Sequence, residues 1–310
     1  MENKKMKRFI LHALHFTLHT SRFTLHTSRF TLYALLFTLY SLLNAYSPGH
    51  DSFSFLKIPD SARISARNAG VVTWEGRDCW KINPAALAFE PESDLSFSHN
   101  GWYMHTHMET VSYNVRRFAL NWKSYGFPDT ARDESGGILG DFENKYRALG
   151  FSYGFRLKRY TGIGVSYKKL DQEIYRENYT HSSFDLGFIT MPGVTSSFGI
   201  VLSNAGTRKK FETEKESLPR QLQAGTLKKM GRFFLSCEIK YNPDERPSYL
   251  FGLEFRQREN LTLRLGSAYQ DVFDLSFGIG WQDKHYFVDF AFLPHGTLDY
   301  AYITTAGIRF

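Results

Sequence analysis

The sequence predicts an all-β chain, a transmembrane β-barrel of about 14 antiparallel strands with an N-terminal hatch or plug segment. Three observations predict this fold class: apolar residues alternate with small or polar ones, long and short connections alternate along the chain, and the N-terminal residues resemble an export signal. A period of two is the pattern of a strand with one apolar and one polar face. Outer-membrane barrels are built from such strands.

The alternation is clearest at the C-terminal end of the chain, from Leu261 to Phe310. Between Val272 and Trp281 every second residue is apolar, and the residues between them are small or acidic: the apolar set is Phe273, Leu275, Phe277, Ile279 and Trp281. The aromatic residue Phe310 resembles the element by which a last strand is recognised during barrel assembly. We therefore predict that Phe310 is the barrel-assembly terminus and that its deletion impairs insertion.

Composition and charge narrow the function classes. Aromatic residues make up 16% of the 310 residues, and the mean hydropathy of -0.36 argues against a helical membrane protein. The formal net charge is +7, but the first 45 residues hold six Lys or Arg and one acidic residue, so the rest of the chain carries only +2. A nucleic-acid partner would require a basic face on the mature domain, so we expect no nucleic acid to bind.

The N-terminal residues 1–45 are predicted to be a signal peptide that contains heptamer repeats. Four copies of a seven-residue unit run from Phe16 to Leu43, and the last two copies form an apolar run that basic residues precede. Cleavage is expected after Ala45 or Ser47, although Pro48 makes the second site less favourable. A coiled coil would also repeat every seven residues, but Thr, His and Phe would occupy its seam. We expect the chain to be exported through the inner membrane and to be located in the cell outer membrane of a bacterium.

Two further segments are predicted after the signal peptide: an N-terminal hatch segment at residues 46–92 and the outer-membrane β-barrel at residues 93–310. The hatch lacks clean alternation and contains the predicted hatch motif Asn83, Pro84 and Ala85. Small residues would let this segment pack closely inside the lumen, although a simple linker is the alternative.

The connections between barrel strands alternate between long and short. Residues 124–144, 170–180 and 203–219 are predicted to be long outer loops, and residues 116–117, 192–193 and 230–231 are predicted to be short periplasmic turns. About 14 strands leave about 15 residues for each strand and its turn, which suffices for a tilted spanning strand. A soluble β-sandwich would show similar alternation, but aromatic residues near the strand ends favour the membrane.

Several short motifs resemble those of a known family. Ser54 to Arg63, followed by Asn83 to Ala88, resembles the N-terminal signature of the PorV/PorQ family of outer-membrane proteins, whose members look like FadL-type barrels. Gly199 to Gly206, followed by Leu218-Pro219, resembles the mid-barrel pattern of that family. The layout is closest to PorQ, on the motifs Tyr125 to Phe127, Asp133 to Gly136 and Gly140 to Phe142.

This resemblance implies a non-enzymatic component associated with type IX secretion or with surface attachment of secreted proteins. Its partners would be outer-membrane lipid and secretion-system or surface-attachment proteins. The alternative is a FadL-like channel for hydrophobic small molecules, which would need an apolar lumen pocket.

One predicted outer loop carries a candidate partner-binding set. Apolar and aromatic residues are frequent in residues 124–144, and long loops on a rigid scaffold often carry binding residues: the set is Tyr125, Phe127, Ile138, Leu139 and Phe142. Alternatively, these side chains fold down and close the barrel mouth.

The sequence predicts no catalytic residue, no metal site and no cofactor. Gly150 to Gly154 matches the G-x-S-x-G pattern, but alternation continues through it and Ser152 is expected to face into the barrel. Three histidines, His99, His105 and His107, could be read as metal ligands, but an aromatic surface loop explains them equally well.

Overall fold

The computed structural model describes residues 53–72, 77–103, 106–133, 135–174, 177–193, 195–206, 209–211, 214–216, 218–243, 245–295 and 299–310. The predicted signal peptide, residues 1–45, and the first seven residues of the hatch, 46–52, lie outside these ranges. Within the described ranges, no helix combines the length and the apolar character needed to cross a membrane.

Sixteen strands are formed by the described residues, and fourteen of them close into one antiparallel barrel, as predicted. The strands are β1 Asp94–Gly101, β2 His107–Val115, β3 Phe118–Arg132, β4 Ile138–Lys158, β5 Thr161–Ile174, β6 Glu177–Gly193, β7 Ser196–Gly206, β8 Lys209–Phe211, β9 Glu214–Glu216, β10 Gln221–Met230, β11 Phe233–Tyr241, β12 Ser248–Arg256, β13 Leu261–Tyr269, β14 Phe273–Gln282, β15 Tyr286–His295 and β16 Asp299–Arg309.

The barrel closes because its first strand pairs with its last. β1 runs antiparallel to β16 from the pair Asp94 and Arg309 to the pair Gly101 and Tyr302. Every barrel strand pairs with its neighbour along the chain, except that β7 pairs with β10, and the short strands β8 and β9 pair with each other. We call the end that holds Asp94, Arg309 and the short turns the turn end, and the opposite end the loop end.

Side-chain exposure follows the predicted alternation. Phe277 on β14 is 44% exposed, whereas its neighbour Ser276 is buried. The outward residues therefore form the apolar band expected of a lipid-facing surface, and the inward residues are small or polar. Phe287 and Leu250 are large apolar residues that face inward, and both side chains are buried in the lumen.

Two of the predicted outer loops are largely strand, which corrects the sequence prediction. In residues 124–144, β3 and β4 remain paired out to Ala131 and Gly140 and, after a bulge, to Arg132 and Ile138. In residues 170–180, β5 and β6 remain paired out to Ile174 and Glu177. The polar composition of these segments reflects contact with water beyond the apolar band. It does not mark an end to the strands, because the ladder still pairs the backbone groups.

The hatch runs through the lumen from the loop end to the turn end. Its helical pieces are a 3₁₀ helix at Ser54–Lys57, an α-helix at Ala62–Arg67 that we call the hatch helix, and 3₁₀ helices at Cys79–Lys81 and Pro84–Ala88. At the loop end, Asn100 of β1 donates a hydrogen bond of 2.8 Å to the carbonyl of Pro59. At the turn end, Asn114 of β2 donates one of 2.8 Å to the carbonyl of Glu92.

Candidate functional site

The predicted hatch motif fixes the hatch to the barrel wall. The side-chain nitrogen of Asn83 donates to the carbonyl of Val71 at 2.8 Å and to that of Phe188 on β6 at 3.2 Å. Its side-chain oxygen accepts the backbone N–H of Ala85 at 3.1 Å and so caps the 3₁₀ helix that begins at Pro84. One buried side chain therefore orders the hatch internally and ties it to the wall.

Glycines on the wall make room for this motif. Gly164 of β5 and Gly187 of β6 face the lumen where the hatch passes, and a Cβ atom at either position would overlap the motif. At Gly164 the overlap involves the backbone of Pro84 and Ala85, and at Gly187 it involves the side-chain oxygen of Asn83. The sequence suggested that small hatch residues permit close packing, and the structure shows that wall glycines provide much of the space.

An ionic cluster joins the hatch to the opposite wall. Arg63 of the hatch helix donates to both carboxylate oxygens of Glu254 on β12, at 3.2 and 3.1 Å. Arg264 on β13 donates to Glu254 at 3.1 Å and to Asp289 on β15 at 2.7 Å. Arg77 of the hatch donates to Asp289 at 3.2 Å, so all five side chains form one buried network.

This network was not predicted from the sequence, because its members are about 190 to 210 residues apart for each contact between hatch and wall. A usable signal exists in the strands: Glu254, Arg264 and Asp289 place charged side chains at inward positions, between apolar residues that face outward. Ions placed on the inner face of a barrel usually need a partner, because unpaired buried charge is strongly unfavourable.

An aromatic cluster closes much of the loop end. Phe55 of the hatch stacks on Tyr125 of β3 with ring centroids 6.2 Å apart, and Phe53 meets Tyr146 of β4 edge-on at 6.3 Å. Phe127 stacks on Tyr146 at 6.1 Å. We call Phe53, Phe55, Tyr125, Phe127 and Tyr146 the aromatic cluster.

The structure separates the predicted partner-binding set into two places. Tyr125 and Phe127 belong to the aromatic cluster and face the lumen side, in line with the alternative that these side chains close the mouth. Ile138 and Leu139 lie at the tip of the β3–β4 hairpin and are 69% and 63% exposed, and Phe142 is half-buried further along β4. A docking role for this set remains a prediction.

A lumen cavity of about 200 Å³ lies between the hatch and the loop-end half of the wall. Apolar side chains of the hatch, including Leu56, Ile58 and Ile64, meet wall residues such as Leu250 and Ala268 there. The cavity also contains five lysines: Lys57, Lys81, Lys123, Lys168 and Lys240.

Four of these lysines have carboxylate partners. Lys81 pairs with Asp78 at 2.8 Å and Lys168 pairs with Asp185 at 2.8 Å. Lys123 pairs with Asp60, and Lys57 pairs with Glu245. In the part of the chain that the structure describes, Lys240 makes no hydrogen bond or ion pair. The cavity therefore has a mixed lining of apolar and polar side chains, with the amine of Lys240 available as a hydrogen-bond donor.

The remaining predicted residues occupy ordinary barrel positions. Phe310 stacks on Tyr113 at 6.1 Å, and its N–H donates to the carbonyl of Ser93 at 3.0 Å. Ser152 lies within β4 and makes a 2.7 Å hydrogen bond with Ser166 across the inner face, so the prediction that Ser152 faces inward is confirmed. His99 lies 3.3 Å from Glu109 on the neighbouring strand.

Solved structures show which fold this is. No protein-family model matches the chain, and no curated protein matches its sequence. The Pseudomonas putida toluene transporter TodX matches with a TM-score of 0.56 at 11% identity, over 85% of this chain and 98% of TodX. A Pseudomonas aeruginosa FadL homologue matches with a TM-score of 0.57 at 10% identity, over 81% of this chain and 98% of the homologue.

A mutant of the TodX monoaromatic hydrocarbon channel also matches, with a TM-score of 0.53 at 12% identity, over 80% of this chain and 97% of the mutant. Sequence identity this low carries information about fold only. The chain has a FadL-like fold, an all-β outer-membrane barrel of fourteen antiparallel strands with a short helical segment at its N-terminal side.

Proposed function

We propose that this chain is a non-enzymatic outer-membrane channel that admits small hydrophobic or amphiphilic molecules through its lumen. The lumen cavity is the observation that carries the proposal. Its volume of about 200 Å³ exceeds the ~150 Å³ of an engineered apolar cavity that binds benzene. A molecule of the size of a substituted benzene fits this space.

The aromatic cluster supports an apolar cargo. It lies at the loop end, next to the hatch segment that lines the cavity, so a molecule entering from that end meets ring faces and edges. Aromatic side chains provide large apolar contact areas. Past the cluster, the ammonium group of Lys240 offers a hydrogen-bond donor to a polar head group on an otherwise apolar molecule.

The hatch must move, or a path must open beside it, before a molecule leaves the cavity toward the turn end. Asn83 and the ionic cluster hold the hatch against two sides of the wall. Buried pairs of this kind are costly to separate, so the closed arrangement is the resting state in this proposal.

The solved neighbours support the same class of cargo. TodX is described as a toluene transporter and as a monoaromatic hydrocarbon channel, and the fold of this chain is similar to that of TodX. The outer-membrane location, with export directed by residues 1–45, is part of this proposal.

A PorV/PorQ-like role in type IX secretion or surface attachment remains a second prediction. The exposed hairpin tip, with Ile138 and Leu139, is the observation that favours it. No comparison with a known protein supports that role. A variant with both tip residues replaced by serine separates the two functions. If the chain is a channel, the variant should retain uptake of the small molecule. If the tip is a docking surface, the variant should lose the proteins that co-purify with the wild type.

The channel is tested by filling its cavity. Ala268 of β13 lines the lumen cavity, so Ala268→Trp should occupy the space and lower uptake of radiolabelled toluene at least several-fold. The measurement uses Gram-negative cells that express the exported chain and lack their own FadL-like channel.

The matched control is Leu263→Trp, which puts the same side chain on the lipid face of the same strand. This variant should retain full uptake. If cells that express the wild-type chain take up toluene no faster than cells without it, the channel function is refuted. Equal uptake by the Ala268→Trp variant would exclude the cavity as the route.

A further inference from the structure

We infer that the turn end of the barrel contains a binding site for a small oxyanion, a phosphate group or a carboxylate, between the hatch and the wall. A second cavity, of about 290 Å³, lies there, and we call it the mouth cavity. Its lining is rich in guanidinium groups: Arg63 and Arg77 from the hatch, and Arg256, Arg264 and Arg309 from the wall.

Arg77 is the central group of this site. Its side chain is 4% exposed and lines the mouth cavity. One terminal nitrogen donates to Asp289, and the guanidinium lies over the ring of Phe287 at 3.6 Å from the ring centroid. Nε and the other terminal nitrogen, Nη1, are buried and have no hydrogen-bond partner among the described residues.

Unpaired donors of this kind are rare in a folded protein, because a buried donor without a partner loses its hydration and gains nothing in return. The loss is larger when the donor carries a charge. An oxyanion in the mouth cavity would accept these hydrogen bonds, and guanidinium groups match phosphate and carboxylate oxygens in geometry and charge.

The charges around the cavity also favour an anion. Six guanidinium groups face or adjoin the site. Five belong to the lining arginines, and the sixth is that of Arg67, whose Nη1 lies 4.0 Å from Oε2 of Glu254. The described carboxyl groups there number six: Glu254 and Asp289 in the ionic cluster, Glu92 paired with Arg309 at the rim, Asp78 paired with Lys81, and Glu90 and Asp94.

Two of these carboxyl groups neutralise the arginines only in part. Oδ2 of Asp94 is buried and has no hydrogen-bond partner among the described residues. Burial raises the pKa of Glu90 to about 7, and the nearby Asp94 adds to this effect, so near neutral pH a large share of Glu90 is uncharged. The site therefore keeps an excess of positive charge.

A bound oxyanion would contact the hatch through Arg77 and the wall through its neighbours. It would thus add a link between the two at the turn end, opposite the lumen cavity. Release of the anion would then precede any movement of this half of the hatch. This role is separate from cargo binding, because the mouth cavity and the lumen cavity share no lining residue.

The test measures binding of radiolabelled inorganic phosphate to the purified full-length chain in detergent, by equilibrium dialysis at constant ionic strength. We expect saturable binding by the wild type. Arg77→Gln should weaken the affinity by about tenfold or more, because it removes charged donors to the anion. Competition by acetate would assign the ligand to carboxylates, and competition by a phosphate monoester alone would assign it to phosphates.

Because Arg77 is buried, Arg77→Gln could lose phosphate binding through a folding defect. Gln282→Glu tests the site without altering Arg77. Gln282 lines the mouth cavity but is only half-buried, and the substitution adds a negative charge without changing the size of the side chain. It should weaken phosphate binding in a barrel that still shows heat-modifiable migration on a gel. Arg232→Gln, on an exposed turn of the same end, should leave binding unchanged.

Two results would overturn the inference. One is the absence of saturable phosphate binding by the wild type in the millimolar range. The other is phosphate affinity that is the same in the wild type, Arg77→Gln and Gln282→Glu. Either result would leave the channel function untouched, because uptake through the lumen cavity is measured independently.

Discussion

At the scale of the residue, a few buried polar groups determine how the hatch is held inside the barrel. Asn83 makes its hydrogen bonds with both the hatch and the wall, and Glu254 accepts from Arg63 and Arg264. Each such group stabilises the closed hatch only while its partners are in place, because a buried polar atom without a partner costs more than a paired one contributes. Substitutions of these buried polar residues should therefore weaken the attachment of the hatch to the wall before they affect the barrel strands.

Glu90 makes hatch stability depend on pH. Its pKa is raised to about 7 by burial, with Asp94, Glu92 and Asp78 opposing ionisation further and Arg63 favouring it. An acid with a raised native pKa binds more protons in the native state than in the unfolded state, so stability falls as the pH rises from the ordinary glutamate value through about 7. The folded chain should be more stable at about pH 5 than at about pH 8.

Denaturant unfolding of the detergent-solubilised chain over this pH range measures the effect, and Glu90→Gln should flatten the dependence. Glu259→Gln, which changes an exposed carboxylate on a turn at the same end, serves as the control and should leave the slope as in the wild type. An identical slope in the wild type and in Glu90→Gln would show that Glu90 contributes nothing to it.

At the scale of the element, the close fit between hatch and wall depends on inward glycines. Gly164 and Gly187 face the hatch motif, and Gly278 of β14 faces Ala66 of the hatch helix. A strand with small inward residues leaves a groove in the wall, and hatch backbone fills it. The same strands carry large apolar residues outward, so each strand is specialised on both faces.

Adding one methyl group to this groove tests the fit. Gly164→Ala would place its Cβ against the backbone of Pro84 and Ala85, so we expect a loss of about 1–3 kcal/mol in the free energy of unfolding and faster hydrogen exchange in the 3₁₀ helix Pro84–Ala88. Denaturant titration and hydrogen–deuterium exchange measure the two effects.

Gly150 provides the matched control on the neighbouring strand. It also lines the lumen, but a Cβ there would meet its nearest neighbours at 3.7 Å, an ordinary contact distance. Gly150→Ala should therefore leave exchange in the hatch unchanged. If both variants behave alike, the groove at Gly164 does not hold the hatch.

At the scale of the whole molecule, the strand ladder that closes the barrel includes no residue of the hatch. Fourteen strand pairings complete the circle, and each is made by backbone groups of the strands themselves. A closed ladder has no free edge and satisfies its own hydrogen bonds, which is what a spanning β structure requires. The hatch then fills a lumen that would otherwise hold water.

Deletion of residues 53–90 should therefore give a barrel that still inserts and now conducts ions. The full chain should show little conductance, because the hatch occupies the lumen and is held by Asn83 and the ionic cluster. Planar-bilayer recordings measure conductance, and heat-modifiable migration reports assembly. Failure of the shortened chain to assemble would show that the hatch is needed to form the barrel, and a silent but inserted barrel would show another obstruction.

The sequence by itself determined the strands, because a period of two depends only on neighbouring residues and on which face meets lipid. Phe277 and Ser276 could be assigned to opposite faces without coordinates, and so could the inward position of Ser152. The same rule failed where β3 and β4 continue into water, because polar residues there indicate solvent and say nothing about whether backbone pairing continues.

Only the tertiary structure decided which inward residues meet. Arg63 reaches Glu254, and Arg77 reaches Asp289, across separations of 191 and 212 residues, and Pro84 packs against Gly164. These contacts depend on the curvature and closure of the barrel and on the path of the hatch through it. Periodicity fixes the face of a residue but not its partner across the lumen, so both cavities and their arginines and lysines became visible only in three dimensions.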